Sequence, residues 1–467
     1  MAKKSKNNEN LTLEEKLEQA LIPNGDEPYT LPENWCWTKI GNISTLYRGV
    51  SYKKHEGHSV KNVNDCLVMR GGNIREASLD IENDNVYVDK KLVSDEQLVQ
   101  KHDIVIVSST GSKKVIGRAG ISYCDYLDVA FGAFLTLVRP MNDVCKPYVA
   151  YYFQSDLYRN RMRELASGVN INNIKNEHIT DTPIPFPPLD EQKRIVERIE
   201  NLFVKLDEAK EKAQEVFNSF ENRKAAILHK AFAGELTAKW RKENNIGDDS
   251  WKKCILRDVG VVITGSTPDT KNSNFYGGTI PFIKPTELNQ GRNVVFSSET
   301  LTEEGKKVSR PIRAGATCIC CIGATIGKCG FMSVDAVTNQ QINSIVPYDF
   351  MCDEFVYYYC SSNDFKNILI SNSSSTTLPI INKKKTEKLP IAVPLKDEQI
   401  EIVHIIDNLI TKEQQAKELA ENVIEKIDLM KKSILARAFH GELGTNDPAE
   451  ENAVELLKQI IKSEENT

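Results

Sequence analysis

From Ile195 the apolar positions run Ile199, Leu202, Leu206, Ala209, Ala213, Val216 and Phe220, and after a break at Arg223 they resume at Ile227 and Ala231. The gaps alternate four and three. A second series reads Ile402, Ile406, Leu409, Ala416, Ala420, Val423, Ile427, Met430, Ile434 and Ala438, with Glu413 as the one polar intruder. Each series is a heptad seam, and two seams of equal length in one chain pack most simply on each other. Each predicted helix opens behind proline with Asp190 or Asp397 as its cap and Glu191 or Glu398 just inside, where the helix dipole favours carboxylates. Each stops at Gly234 or Gly441, the residue that accepts the left-handed turn of a helix end. About 40 residues at ~1.5 Å each make a rod of roughly 60 Å. Antiparallel pairing is expected, because parallel pairing would oblige the block between the helices to span the whole rod.

The helices belong to a longer duplication. Pro183, Ile184, Pro187, Asp190, Glu191 and Gln192 return 207 residues later as Pro390, Ile391, Pro394, Asp397, Glu398 and Gln399. At the same offset Ile227, Leu228, Ala231, Phe232, Gly234, Glu235 and Leu236 return as Ile434, Leu435, Ala438, Phe439, Gly441, Glu442 and Leu443. A chain built from two such halves can present two similar surfaces about an approximate twofold axis.

The blocks before each helix correspond more loosely. Trp37, Ile40, Ile43 and Gly49 match Trp251, Cys254, Val259 and Gly265, and Ile116-Gly117-Arg118 matches Ile326-Gly327-Lys328. The run 103–107 followed by Ser108-Ser109-Thr110-Gly111 resembles 316–319 followed by Cys320-Cys321-Ile322-Gly323. Short β-branched runs between Gly, Asn and Ser turns, with one helix near 148–165 or 353–369, predict a mixed α/β block in each half. The expected layout is an N-terminal helical extension over 1–30, a first recognition domain over 31–188 and a first spacer helix over 189–236. A linker follows over 237–250, then a second domain over 251–395, a second spacer helix over 396–443 and a tail over 444–467. Leu13, Leu17, Ala20 and Leu21 predict a short amphipathic helix near the start, able to pack on the rods. Ala453, Leu456, Leu457, Ile460 and Ile461 predict another in the tail, for docking or for nothing.

Composition narrows the class. With 467 residues, 27% charged and 40% apolar, the chain has the make-up of a folded protein of two to four domains. No run of 18 apolar residues occurs and residues 1–10 are polar, so a cytoplasmic location is expected, with neither membrane span nor secretory signal. Eleven cysteines form no paired framework, and Cys318, Cys320 and Cys321 lie in an apolar run that reads as a buried strand of reduced thiols. The net charge of −5 argues against nucleic acid until it is divided along the chain. Residues 37–183 carry 19 basic against 17 acidic side chains and 251–390 carry 16 against 12, whereas 184–250 has 12 against 13 and 391–467 has 9 against 16. Mildly basic blocks joined by acidic rods suit a protein whose blocks touch phosphate and whose rods touch protein.

The tandem arrangement, the proline-rich openings before Glu191-Gln192 and Glu398-Gln399, the helices ending in Ala-Phe-x-Gly-Glu-Leu, and the stretch from Pro28-Tyr29 to Asn34-Trp35 carry a resemblance over nearly the whole chain. The chain resembles the specificity (S) subunit of type I restriction–modification systems. The resemblance implies a noncatalytic subunit with two target recognition domains, each reading one half of a split double-stranded DNA sequence. It implies two modification subunits docked on the helices, where Asp190, Glu191, Gln192, Asp397, Glu398 and Gln399 are the docking candidates, to make an N6-adenine methyltransferase. It also implies two restriction subunits for ATP-driven translocation and cleavage. S-adenosylmethionine, ATP and magnesium are then expected on the partners, with no cofactor and no metal in this chain. The second half departs from the pattern at its joints: it lacks the Pro-Glu-Asn-Trp opening, and Pro394-Leu395-Lys396 replaces Pro-Pro-Leu.

Catalytic readings fail on the residues. Phe186-Pro187-Pro188-Leu189 has the prolines of an adenine methyltransferase motif but neither its amide nor its aromatic end. Glu191-Gln192-Lys193 mimics a nuclease metal site, yet the repeat has Ile400 where the lysine should stand. Between Gly323 and Lys328 the glycines are too close for a phosphate loop, and Cys329 replaces its Ser or Thr. A coiled-coil interaction scaffold without sequence-specific DNA binding is the alternative.

Base edges are read by Arg or Lys on guanine and by Asn or Gln on adenine, while phosphate contacts fix position. The candidate readers in the first block are Ser51, Tyr52, Lys53, Lys54, Arg70, Asn73, Ser109, Lys113, Lys114, Arg118, Asn170 and Asn172. In the second they are Ser266, Thr267, Lys284, Thr286, Thr325, Lys328, Asn339, Gln340 and Gln341, and the run Lys383-Lys384-Lys385 is assigned to phosphate.

Overall fold

The computed structural model describes residues 11–23, 25–166, 172–374 and 379–465. It divides into two compact units, one holding residues up to 211 and from 423 onward, the other residues 212–422. The division falls inside both long helices, Leu189–Phe232 and Lys396–Phe439.

In the first unit an antiparallel sheet takes the order Ser44–Arg48, Leu135–Pro140, Ile104–Val107, Ala119–Ile121. Its central strands are buried on both faces, which is why 104–107 reads as an unbroken apolar run. A second sheet sets Val129–Phe131 parallel to Asp65–Met69, with Tyr87–Asp89 antiparallel beyond it. Cys36–Lys39 pairs with Pro183–Phe186 and so fastens the start of the block to the start of the first long helix. The N-terminal helix Leu13–Ala20, opened by a capping box at Thr12, packs on the C-terminal helix Ala453–Glu465 through Leu17, Ala20, Ala453, Leu457 and Ile460.

The second unit repeats this plan. Gly260–Thr264, Ile342–Pro347, Thr317–Cys320 and Cys329–Phe331 form the sheet, and Ala336–Thr338 lies parallel to Tyr276–Ile283. Lys252–Ile255 pairs with Pro390–Val393. The strand Thr317–Cys320 is buried as its sequence predicts, and burial pushes the thiols of Cys318 and Cys321 up to about 12, which disfavours the thiolate that a metal ligand or nucleophile needs.

Antiparallel pairing of the long helices is visible inside each unit. In the first, Lys210 meets Asp428 at 2.6 Å while Asp207 meets Lys431 at 2.5 Å, so residue numbers fall on one helix as they rise on the other. In the second, Lys417 lies over the rings of Phe217 and Phe220, and Arg223 pairs with Glu413. That last pair accounts for the break in the apolar series at Arg223: the helix runs through it as expected, and the two polar intruders of the two seams answer each other. A polar pair at matched seam positions specifies register at some cost in stability.

Three expectations change. The single helix in each block is a pair, Lys146–Tyr152 with Asp156–Leu165 and Asp353–Ser361 with Asn363–Ser371, because Ser155 and Ser362 each cap a new helix. Asp190 and Asp397 stand inside the first turn, not at the cap. Finally, Trp251 corresponds to Trp35, not Trp37, since Ile184 faces Thr38 and its counterpart Ile391 faces Cys254. A slip of two residues keeps the same strand face, so hydrophobic pattern alone does not detect it.

Both long helices stop as expected. Gly234 and Gly441 take φ of 76° and 73°, and in each case the next residue's amide reaches back to the helix, Glu235 to Lys230 O and Glu442 to Arg437 O. These are Schellman closures, which satisfy carbonyls that a helix end otherwise leaves open.

Candidate nucleic-acid interface

Matched elements show where the duplication keeps phase. Ser44–Arg48 and Gly260–Thr264 lie 216 residues apart, Ile104–Val107 and Thr317–Cys320 lie 213, and Ala119–Ile121 and Cys329–Phe331 lie 210. From Val129–Phe131 and Ala336–Thr338 onward the offset is 207 through to the ends of the long helices. Constant phase therefore begins well inside the block, and length changes are confined to its earlier part.

The first residues of constant phase form the hub of the site. In the first unit three segments bond to residues 131–134, and a fourth joins them through Ser108. Val50 N donates to Phe131 O at 2.7 Å, and Gly132 N donates to Met69 O at 2.8 Å. Phe134 O accepts from Ser108 N and Ser109 N, both at 3.1 Å, and from Ser108 Oγ at 3.0 Å. Ile174 N donates to Ser108 O at 2.8 Å, next to the ladder between Asn172–Asn173 and Ser109–Thr110. The loops that carry Ser51 to Lys54, Arg70, Ser109 to Lys114 and Asn172 thus converge, although they lie far apart in sequence. Gly49 is required there, because a Cβ would sit 2.1 Å from Gly132 O. A cleft of about 420 Å³ opens beside the hub, lined by Arg48, Ser51, Ser108, Asn173, Lys175 and Glu177 among others.

The second unit builds the same hub around Asn339-Gln340-Gln341. Ser266 N donates to Thr338 O at 2.9 Å, Asn339 N to Ile283 O at 3.0 Å and Cys321 N to Gln341 O at 2.8 Å. Gly323 N donates to Pro379 O and Ile381 N to Cys321 O, both at 3.0 Å. Thr267 Oγ1 holds Gln340 Oε1 at 2.5 Å, which orients an exposed amide and leaves its Nε2 as a donor. Asn339 and Gln341 bond to each other at 3.1 Å.

Backbone correspondence pairs residues that sequence had picked separately. Arg70 and Lys284 each follow the strand residue that anchors the hub, and each meets an acid, Asp84 for Arg70 and Glu299 for Lys284 at 2.6 Å. Arg118 and Lys328 follow the positive-φ glycines Gly117 and Gly327. Beside them stand Arg159, which donates to Ile116 O at 2.8 Å, and Lys366, whose stem lies over Gly327. Tyr52 is half-buried, while Ser51, Lys53, Lys54, Lys113, Lys114, Thr286 and Thr325 are exposed. Asn170 lies outside the described residues.

Some candidates serve the frame instead. Asn73 is fully buried; its Oδ1 accepts from Arg70 N at 2.7 Å and its Nδ2 donates to Asp80 O and Asn83 O, so it closes its own loop and has no edge left for a base. Of the six helix-opening residues, only Asp190 and Asp397 are exposed. Gln192 accepts from Cys145 N at 3.0 Å and donates to Pro187 O, and Gln399 does the same with Cys352 N at 2.8 Å and Pro394 O. Glu398 accepts from Thr237 Oγ1, Arg241 Nη1 and Trp251 Nε1 at 2.7 to 3.0 Å, while Glu191 accepts from Thr445 Oγ1 at 2.6 Å and from Arg194. Burial raises the Glu191 carboxyl above the usual carboxylate range, against the pull of Thr445 and Arg194. These motifs recur because each ties a helix start to the chain that follows the other helix's stop.

Asn173 lies in the polar loop that the sequence offers, whereas Phe134 and Lys175, which also stand at the hub or its cleft, are not among the sequence candidates. The matched elements place Phe134 opposite Gln341 at the offset of 207. Among the described residues no His, Cys, Asp and Glu groups gather to hold a metal ion, and no helix is long and apolar enough to cross a membrane.

Comparison with known proteins agrees with the twofold plan. The family described as type I restriction modification DNA specificity domain matches residues 32–217 and again 248–426. The specificity subunit of the type I restriction enzyme StySPI of Salmonella potsdam is 26% identical over 458 residues, covering 93% of this chain and 96% of that protein. The EcoKI specificity subunit of Escherichia coli K12 is 27% identical over 454 residues, with the same coverage of 93% and 96%. Among solved structures, the HsdS subunit of Thermoanaerobacter tengcongensis aligns with a TM-score of 0.59 at 16% identity, over 89% of this chain and 99% of that one. A chain solved in work on complex assembly and conformational transition of the type I R-M system aligns with a TM-score of 0.67 at 18% identity, over 89% and 100%. These likenesses extend to the fold.

Proposed function

The chain belongs to the type I restriction modification DNA specificity family, and on that premise we propose that each unit reads one half of a bipartite duplex target while partner subunits do the chemistry. Two modification subunits methylate adenine N6 within the half-sites using S-adenosylmethionine, and two restriction subunits use ATP and magnesium to translocate and cleave. The chain itself contributes position and sequence choice. The observation that supports this reading most strongly is the pair of hubs: one backbone frame, built twice, carrying different side chains. A frame kept constant while its tips change is what two readers of different words require.

The test is methylation mapping with the chain and its modification partner on long genomic DNA. The expected result is N6-methyladenine in both halves of a split sequence, and methylation confined to a single contiguous motif would overturn the reading. The scaffold alternative is not favoured. A gel shift on random duplexes with graded salt separates it, because phosphate binding weakens steeply as salt rises.

Lys383, Lys384 and Lys385 form an exposed turn where the first unit has Asn176, Glu177 and His178. On this reading they meet phosphate. Replacing all three by alanine is expected to weaken specific and random duplexes alike and to lower the salt slope by about one for each phosphate that is no longer neutralised. Methylated sequences should stay the same, and a changed half-site would show that the run reads bases.

A further inference from the structure

Phe134 is 69% exposed, and its placement is not that of a loose surface residue. Three donors grip its carbonyl, its neighbour Gly132 is tied to the strand Asp65–Met69, and the preceding strand residue Phe131 is tied to Val50. The backbone is therefore held while the ring is given to water. Single exposed apolar side chains are ordinary, and Val63 is one, but Val63 lies away from the converging loops. Phe134 stands at their centre, with Ser51, Lys53, Lys54, Arg70, Lys113 and Lys114 carried on the segments that meet there. The residue at the same place in the second unit is Gln341, its carbonyl held by Cys321 N just as Phe134 O is held by Ser108 N. Next to it, Gln340 replaces Ala133.

We propose that this hub position determines specificity in both units: Phe134 makes an apolar contact with a base of one half-site, and Gln340 with Gln341 reads a base edge of the other through amide hydrogen bonds. The assignment rests on the two-reader function above and deepens it. The chemistry differs as it must if the two words differ. With their Oε1 atoms held by Thr267 and Asn339, Gln340 and Gln341 offer Nε2 donors to an acceptor on a base edge, whereas an aromatic ring has no such code and selects by contact with a methyl group or a base face. The basic loops around each hub supply affinity without sequence information.

The test uses the full chain reconstituted with its modification subunits. Methylation of a random-sequence duplex library is read for wild type, Phe134→Ala, Phe134→Gln and the pair Gln340→Leu with Gln341→Leu. For Phe134→Ala we expect discrimination at one or two positions of one half-site to fall on the order of tenfold, the scale of a single mismatched base pair, with the other half-site and subunit assembly unchanged. The glutamine pair should do the same to the other half-site alone, and Phe134→Gln should shift the preferred base instead of merely relaxing it. Equal discrimination by Phe134→Ala and wild type overturns the assignment, as does a change in both half-sites or a loss of assembly with intact discrimination, which would make Phe134 a protein contact. A wild-type complex that methylates one contiguous motif defeats the two-reader premise itself, so the two failures are told apart.

Discussion

With Glu398 replaced by leucine, the second unit is expected to lose about 3–5 kcal/mol of stability, the scale seen when one partner of a buried ion pair is removed. Glu398 has no exposed surface and its partner Arg241 is 8% exposed. The guanidinium is already committed to Gly234 O and Thr237 Oγ1, so it cannot swing to water when the carboxylate goes. Thr237 and the Trp251 indole lose their acceptor as well. Replacing Arg241 by methionine in the same chain should recover most of the loss, because a buried pair exchanged for apolar side chains is close to neutral. Hydrogen exchange is the measurement: protection should fall around 228–237 and 352–399 while 104–107 keeps its own. The first unit provides the control. Arg194, partner of Glu191, is 36% exposed and also meets Glu450, so Glu191→Leu should cost less, about 1.5–3 kcal/mol for the removal of a charged hydrogen bond. Equal losses at the two sites would show that burial is not what sets the difference.

Truncation after Gly444 is expected to destabilise the first unit by roughly 5 kcal/mol or more, since burying an aliphatic side chain is worth about 1.5–3 kcal/mol and the C-terminal helix buries Leu457 and Ile460 fully. The same cut removes Thr445 from Glu191, Asn446 from the Trp35 indole and Glu450 from Arg194. It also uncovers Leu17 and Ala20 of the N-terminal helix. Exchange should rise over 13–21 and 189–199 with 317–320 untouched. A truncated chain that keeps its protection over 13–21 would mean that the tail is an accessory and not part of the core.

Much of the long-helix architecture is legible in sequence because its signals are local. Seam spacing, acidic first turns and glycine stops each lie within a few residues, and backbone hydrogen bonding in a helix links neighbours in sequence. The sheets are legible only in outline. Their side-chain period of two hides a slip of two, which is how Trp37 comes to match where Trp35 belongs. The candidate readers stand out as polar and basic loops, and most are exposed. Composition does not separate a loop's tip from the residue that closes it, so Asn73 has the look of a reader and is a buried strut.

From sequence one could derive a duplicated chain, two paired rods with acidic first turns and glycine stops, two mixed α/β blocks and a division of charge between them. Those follow from periodicity and punctuation, which are properties of neighbouring residues. Folding was needed to show that Arg223 and Glu413 answer each other, that the tail closes on the start of the chain, and that constant phase reaches back to Val129. It was also needed to gather separated loops around one turn within each unit, with Phe134 at the tip in the first and Gln341 in the second. Such meetings join segments tens to hundreds of residues apart. They are settled by which carbonyl each amide reaches and which apolar faces exclude water together, and spacing along the chain does not record either.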